Sequence, residues 1–74
     1  MREVDVAVRD GRPLHFIHKQ QKMIITEIAD RWRETGRWWD GELLRDFFLV
    51  NTANGAFLLC RDSDTDYWYA KPIQ

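Results

Sequence analysis

Apolar and polar residues alternate along the first eighteen positions of the chain. Val4, Val6 and Val8 are separated by charged or small residues, which is the period of two expected for a strand with one buried face. Asp10-Gly11 follows, a dipeptide that readily takes the two positive-φ positions of a type I′ turn. Alternation resumes from Arg12 to His18. The pattern therefore predicts a β-hairpin.

The segment from Met23 to Thr35 fits two different patterns. Ile24, Ile28 and Trp32 recur every four residues, as they would on one face of a helix, and Gly36 would end that helix. The first four residues, M-I-I-T, are instead rich in strand-forming side chains. Periodicity slightly favours the helix, but the residues alone leave both structures open.

The second half of the chain predicts a meander of three strands. Leu43 to Val50 is apolar on both faces apart from Arg45-Asp46, a pattern typical of a central strand in a strongly curved sheet or barrel. A turn is expected at 51–55, with Asn54-Gly55 as its positive-φ pair. The remaining two strands are predicted at Ala56 to Arg61 and at Tyr67 to Ile73, with a polar turn between them.

Composition and charge narrow the class of protein. The chain has 74 residues, of which 45% are hydrophobic, and four tryptophans, which predicts one small folded domain rather than disorder. The net charge of −1 provides no global attraction for a polyanion. No apolar run approaches the length of a membrane span, and the first residues lack the apolar core of a secretory signal. We therefore expect a soluble, cytoplasmic domain that does not bind membranes.

A dense motif in the middle of the chain carries a family resemblance. Residues 30–42 read D-R-W-R-E-T-G-R-W-W-D-G-E, and R-D-F-F, R-D and W-Y follow at 45–48, 61–62 and 68–69. These residues resemble a small bacterial family of unknown function with the pattern W-R-x-T-G-x-W-W-D-G-E. A similar stretch occurs near the C-terminus of the inactive Y-family polymerase-like subunit of bacterial mutagenesis cassettes. The resemblance spans most of the chain.

The resemblance implies a compact all-β domain with Met23–Ile28 as a strand, and it leaves open a short helical turn around 27–34. We follow it over the helical periodicity because tertiary context routinely overrides weak helical patterns. It implies no catalytic activity, but it places such domains near DNA damage-tolerance machinery. The chain departs from the pattern at Phe47-Phe48, at Cys60 and at Asp66-Tyr67.

Aromatic residues interleaved with arginines are the strongest candidates for a binding surface. Rings beside guanidinium groups suit single-stranded nucleic acid, but large rings also fill small barrels while arginine stems cover their rims. The two adjacent tryptophans would place one ring inside and one outside an extended chain. The predicted binding residues are Trp32, Arg37, Trp38, Trp39, Arg45 and Trp68.

The candidates for catalysis or metal binding are weaker. His15 and His18 should point to opposite faces of a strand, and Asp62-x-Asp64-x-Asp66 lacks the later ligands of a calcium loop. Cys60 has no neighbouring base in the sequence, so we expect inert packing. We therefore expect a non-enzymatic domain with no catalytic residues, no metal and no cofactor.

Together these patterns predict an all-β fold, either a small and highly curved six-stranded antiparallel sheet or an SH3-like barrel, as a single domain over residues 1–74. The expected function is that of a protein-interaction module linked to DNA damage-tolerance machinery. The alternative is a binder of single-stranded nucleic acid that uses the same aromatic and arginine residues. The patterns do not determine the oligomeric state.

Overall fold

The structure is a computed structural model that describes residues 2–35 and 44–73, and the described chain is folded into antiparallel strands with no helix. None of these residues forms a helix long and apolar enough to cross a membrane. The glycines at 36 and 41 bracket a segment whose sequence predicts a structured loop or a sharply bent strand. This segment and the first residue of the predicted strand at 43–50 lie outside the described residues. The strands are β1 (Arg2–Arg9), β2 (Arg12–His18), β3 (Gln21–Thr35), β4 (Leu44–Thr52), β5 (Gly55–Asp62) and β6 (Trp68–Ile73).

The described strands close into a six-stranded barrel. Each strand pairs with the next along the chain, and β6 returns to pair with β1. Among the described residues this closing seam is short, because it joins Arg2, Glu3 and Val4 to the start of β6. The all-β prediction is confirmed, and of its two forms the closed barrel is correct. Closure leaves the sheet no outermost strand.

Strand β3 runs without interruption from Gln21 to Thr35, so the short helical turn left open around 27–34 is not formed. Gln21–Ile24 pairs with β2, whereas the residues from Ile25 to Thr35 pair with β4. Two register shifts, between Ile25 and Glu27 and between Ile28 and Asp30, interrupt the second ladder. Bulges of this kind bend a strand and increase its twist, so one long strand can serve both halves of the barrel. The shifts separate Ile24, Ile28 and Trp32 from one another, so their four-residue spacing does not mark one buried face of a helix.

The core fills the barrel with side chains from all six strands. Phe16, Val50 and Leu59 have no measurable exposure or nearly none. Phe16 meets Phe57 edge to face, with ring centroids 5.1 Å apart, a favourable arrangement for aromatic pairs. The other buried apolar members are Val4, Met23, Phe48, Trp68 and Ala70.

Three of the connections between strands place non-glycine residues in left-handed conformations, and one of these residues is Asp66 between β5 and β6, with φ of 60°. Asp10 and Gly11 have φ of 52° and 77°, as the sequence predicts for a type I′ turn. Lys19 and Gln20 have φ of 52° and 66° without the help of glycine or asparagine. In the β4–β5 turn only Gly55 has positive φ. The prediction that Asn54 also has positive φ is wrong. Strand β4 extends to Thr52 and β5 begins at Gly55, so the turn consists of the two residues between them.

We expect opposite effects from two turn substitutions. Gln20→Gly should stabilise the fold by about 0.5 kcal/mol. Glycine removes the steric cost of positive φ, and this gain is partly offset by the larger backbone entropy that glycine loses on folding. Gly11→Ala should destabilise it by about 1 kcal/mol, since alanine must adopt a φ of 77°. Urea unfolding followed by tryptophan fluorescence measures both. A Gln20→Gly variant less stable than the parent would contradict the strain at this turn.

Candidate functional site

A row of side chains crosses the outer face of the barrel over strands β3 to β6. Trp32 lies opposite Phe47, Phe47 opposite Cys60, and Cys60 opposite Tyr69. Directly opposed residues of antiparallel strands share a face, so these four side chains form a continuous line. Cys60 is only 3% exposed although it points away from the barrel core. The outer face is therefore packed, and it is not a purely solvated surface.

A second apolar row extends this surface. Leu49 on β4 lies opposite Leu58 on β5, one step along the sheet from the aromatic row, and both are half-buried. The two rows together form what we call the outer-face patch, which consists of Trp32, Phe47, Leu49, Leu58, Cys60 and Tyr69. The pattern of β4, apolar on both faces, is explained by this patch on one side and the core on the other.

Trp32 is the most exposed aromatic side chain of the patch. Its indole stacks on Phe47 with ring centroids 5.5 Å apart and planes inclined by 9°. The indole Nε1–H donates a hydrogen bond to Glu34 Oε2 over 3.0 Å. These two contacts fix the ring orientation while 37% of the residue remains accessible. An oriented and accessible indole is a favourable anchor for a docking partner.

The charged residues around the outer-face patch are mixed in sign, with acids in the majority. Arg45 lies in register between Glu34 and Asp62 at one side of the patch. At the other side, Asp30 lies opposite Leu49 and Lys71 opposite Leu58. The acidic residues near Arg45 in sequence, Asp30, Asp40 and Glu42, are its candidate ion-pair partners. Asp30 is not its cross-strand neighbour, and the other two lie outside the described residues.

Two of the arginines that accompany the aromatic residues in sequence lie on the opposite face of the sheet. Arg31 is opposite Phe48, and its guanidinium lies 5.2 Å from the centre of that buried ring. Arg33 donates from Nε to Asp46 Oδ1 over 2.8 Å, and this bond raises the pKa of the Arg33 guanidinium above its usual value. Arg31 therefore covers a ring of the barrel interior, and Arg33 neutralises the Asp46 carboxylate. Both lie on the face of the sheet opposite to Trp32.

Trp68, which the sequence placed among the binding residues, belongs to the core. The residue is 7% exposed, and its ring centroid lies 5.5 Å from that of Phe48. Strand alternation explains the difference, because Trp68 and Tyr69 are neighbours and point to opposite faces. Tyr69, and not Trp68, lies on the outer-face patch.

The other predicted binding residues divide into two groups. Trp32 and Arg45 lie on the outer face, as described above. Arg37, Trp38 and Trp39 lie outside the described residues, in the segment that connects β3 to β4. Five further patch residues were not among the predicted binding residues: Phe47, Leu49, Leu58, Cys60 and Tyr69. The signal was present in the two-sided apolar pattern of β4, which indicates a second packed face.

Cys60 lies in the patch but has the properties of an unreactive thiol. Burial raises the pKa of the Cys60 thiol, nearby Arg45 opposes this effect, and Asp62 and Glu34 reinforce it. A raised pKa leaves less of the thiolate, which is the nucleophilic form. Inert packing, as expected from the sequence, agrees with this environment.

The remaining titratable candidates lie apart from one another. His15 is on the outer face of β2 and His18 on its inner face, so the prediction of opposite faces is confirmed. Asp62 Oδ1 accepts a hydrogen bond from the Asp64 backbone N–H, and Asp66 forms an ion pair with Arg61. Within residues 2–35 and 44–73, no three potential ligands form a group able to hold a metal ion.

Comparison of the chain with protein-family models, with curated proteins and with solved structures found no match.

Proposed function

We propose that this domain is a non-catalytic protein-interaction module whose outer-face patch docks an apolar segment of a partner protein. The observation that carries the proposal is the packed apolar surface on the outside of a barrel that already has a complete core. A small domain does not need a second apolar face to fold around its interior. Trp32 is exposed and most other patch residues are half-buried, and an apolar surface left partly open to solvent is typical of an interaction site. The stacked and accessible indole of Trp32 is its anchor.

The charges around the patch favour a protein partner over nucleic acid. Three acidic residues and two basic residues lie in register around the patch. The acids are Glu34, Asp62 and Asp30, and the bases are Arg45 and Lys71. A surface that binds single-stranded nucleic acid combines aromatic platforms with a positive groove. Here the acids would repel phosphates. We infer that the partner segment offers an apolar side chain to Trp32 and basic side chains to the surrounding acids.

The proposal extends to the segment that connects the two strands carrying Trp32 and Phe47. Arg37, Trp38 and Trp39 belong to this segment and supply further candidate anchors. The resemblance to a segment of a polymerase-like subunit supports a role near DNA damage-tolerance machinery. A Trp38→Ala/Trp39→Ala double variant tests the connecting segment separately from the patch.

The test is affinity capture with matched variants of β3. The purified domain is immobilised and exposed to bacterial lysate with and without nuclease, and bound proteins are identified by mass spectrometry. Trp32→Ser removes the anchor, whereas Ile24→Ser removes an apolar side chain that is 58% exposed and outside the patch. We expect a protein that is retained after nuclease treatment by the parent and by Ile24→Ser, but not by Trp32→Ser.

The affinity of that protein should fall by about thirtyfold or more on Trp32→Ser, the size of effect typical of an interface hot spot. Retention should fall moderately with salt, because salt screens the ion pairs around the patch, and less steeply than phosphate contacts would make it fall. Equal capture by Trp32→Ser and the parent would reject the patch as the docking surface. Loss of all bound protein on nuclease treatment would favour the nucleic-acid alternative.

A further inference from the structure

A basic cleft lies at one end of the barrel, and Lys71 is the residue that it shares with the surroundings of the outer-face patch. It forms where β1 begins, β2 turns into β3, and β6 ends, and its volume is about 380 Å³. Among the described residues its lining contains four basic side chains and no carboxylate. We call it the basic cleft, and its lining residues are Arg2, His18, Lys19, Ala70, Lys71 and Pro72.

The separation of charge at this end follows from strand alternation. Arg2 lies opposite Ala70 and therefore shares the inner face, whereas Glu3 lies opposite Tyr69 on the outer face. A neighbouring cleft, on the other side of Arg2 and Lys19, is lined by Glu3 and Asp5. The carboxylates of β1 are thus directed away from the basic cleft. A chain with a net charge of −1 still concentrates positive charge at this one place.

His18 forms the inner wall of the basic cleft. It is only 7% exposed, and its ring meets Phe57 edge to face with centroids 5.1 Å apart. No hydrogen bond joins the ring to another described residue. Burial lowers the pKa of His18, and nearby Lys19 and Arg2 lower it further. An imidazole held in place beside cations, with free hydrogen-bonding capacity, is suited to an anion that brings compensating negative charge.

We propose that the basic cleft binds a phosphate-type oxyanion. Three cationic side chains at its rim match the double negative charge of a phosphate, and Arg2 offers a planar fork for two oxygens. His18 supplies a fourth donor from the buried wall. The ligand is either free phosphate or a phosphomonoester, which share this chemistry. The proposal stands independently of the docking function of the outer-face patch.

The test is a nuclear magnetic resonance titration of the whole domain in buffer free of phosphate and sulfate. Inorganic phosphate should shift the His18 ring signals saturably and raise the His18 pKa, because a bound anion favours the charged imidazole. The signals of His15, on the opposite face of β2, serve as the internal reference. Sodium chloride at the same ionic strength provides the control for screening.

Two lysine variants make the test specific. Lys71→Gln should weaken phosphate binding about fivefold, the effect of losing one nearby charge in water. Lys22→Gln removes the same charge from an exposed position outside the basic cleft, and we expect it to bind phosphate as the parent does. Both sites are exposed, so folding should be retained.

A phosphomonoester arm identifies the source of the oxyanion. Tighter binding of a nucleoside monophosphate than of inorganic phosphate would indicate an ester ligand, and equal or weaker binding would indicate free phosphate. The proposal is overturned if chloride reproduces the His18 shift, if the shift does not saturate, or if Lys71→Gln and Lys22→Gln bind phosphate equally well.

Discussion

The Val4→Asp variant is expected to be largely unfolded at neutral pH. Val4 is 7% exposed, belongs to the core cluster, and lies opposite Trp68 in the short seam that closes the barrel. An aspartate there must bury a carboxylate among apolar side chains, at a cost of about 3–5 kcal/mol. The single core of a domain this small rarely supplies more than about 3–5 kcal/mol of stability, so little or none remains. Far-ultraviolet circular dichroism and urea unfolding measure the loss.

The matched control is Val8→Asp on the same strand. Val8 is 44% exposed, and its carboxylate replacement would remain in water, so we expect a change within about 0.5 kcal/mol. Equal destabilisation by the two variants would contradict the closure of the barrel at Val4 and the exposure of Val8. A stable and fully folded Val4→Asp variant would also contradict the burial of Val4 in the seam between β1 and β6.

This pair of variants shows where sequence patterns are insufficient. Alternation along β1 places Val4, Val6 and Val8 on one buried face, but the register shifts between Ala7 and Val8. A bulge changes which side chains point inward, and no local signal in the sequence marks it. The hairpin itself was predictable, because Asp10-Gly11 has the turn chemistry that it requires.

Closure and the bend of β3 depend on contacts between distant residues. The seam joins β1 to β6 across nearly the whole chain, and periodicity within one strand contains no information on such pairing. The helical spacing of Ile24, Ile28 and Trp32 likewise contains no information on which strands β3 pairs with. In the structure Ile24 is exposed, Ile28 is half-buried and Trp32 is on the outer face, so they do not form one stripe.

The candidate site was predictable in its residue types but not in its arrangement. Alternation states that Trp68 and Tyr69 point to opposite faces, yet it does not state which one is inside. Only the register of β5 with β6, which places Tyr69 opposite Cys60 and Trp68 opposite Arg61, assigns the faces. The register of β3 with β4 separates Arg31 and Arg33 from Trp32 in the same way. An aromatic and arginine cluster in sequence is thereby divided between two faces.

Opposite phenotypes are expected for the two tryptophans at positions 68 and 32. Trp68→Ala should destabilise the domain by about 3–5 kcal/mol, the usual cost of truncating a large buried ring, because it removes the contact with Phe48. Trp32→Ala should cost only about 1 kcal/mol, since it removes a stacking partner of Phe47 at a partly exposed position. Urea unfolding compares the two stabilities, with circular dichroism as the signal because both variants lose a fluorophore.

Partner capture separates a role in folding from a role in docking. Trp32→Ala should lose the captured protein while its unfolding transition stays close to that of the parent. Trp68→Phe keeps most of the buried ring area and should retain both the fold and capture, because the outer-face patch is unchanged. A folded Trp68→Phe domain that no longer captures the protein would mean that the indole of Trp68 is itself recognised. That result would place the binding surface at the barrel interior and not on the outer-face patch.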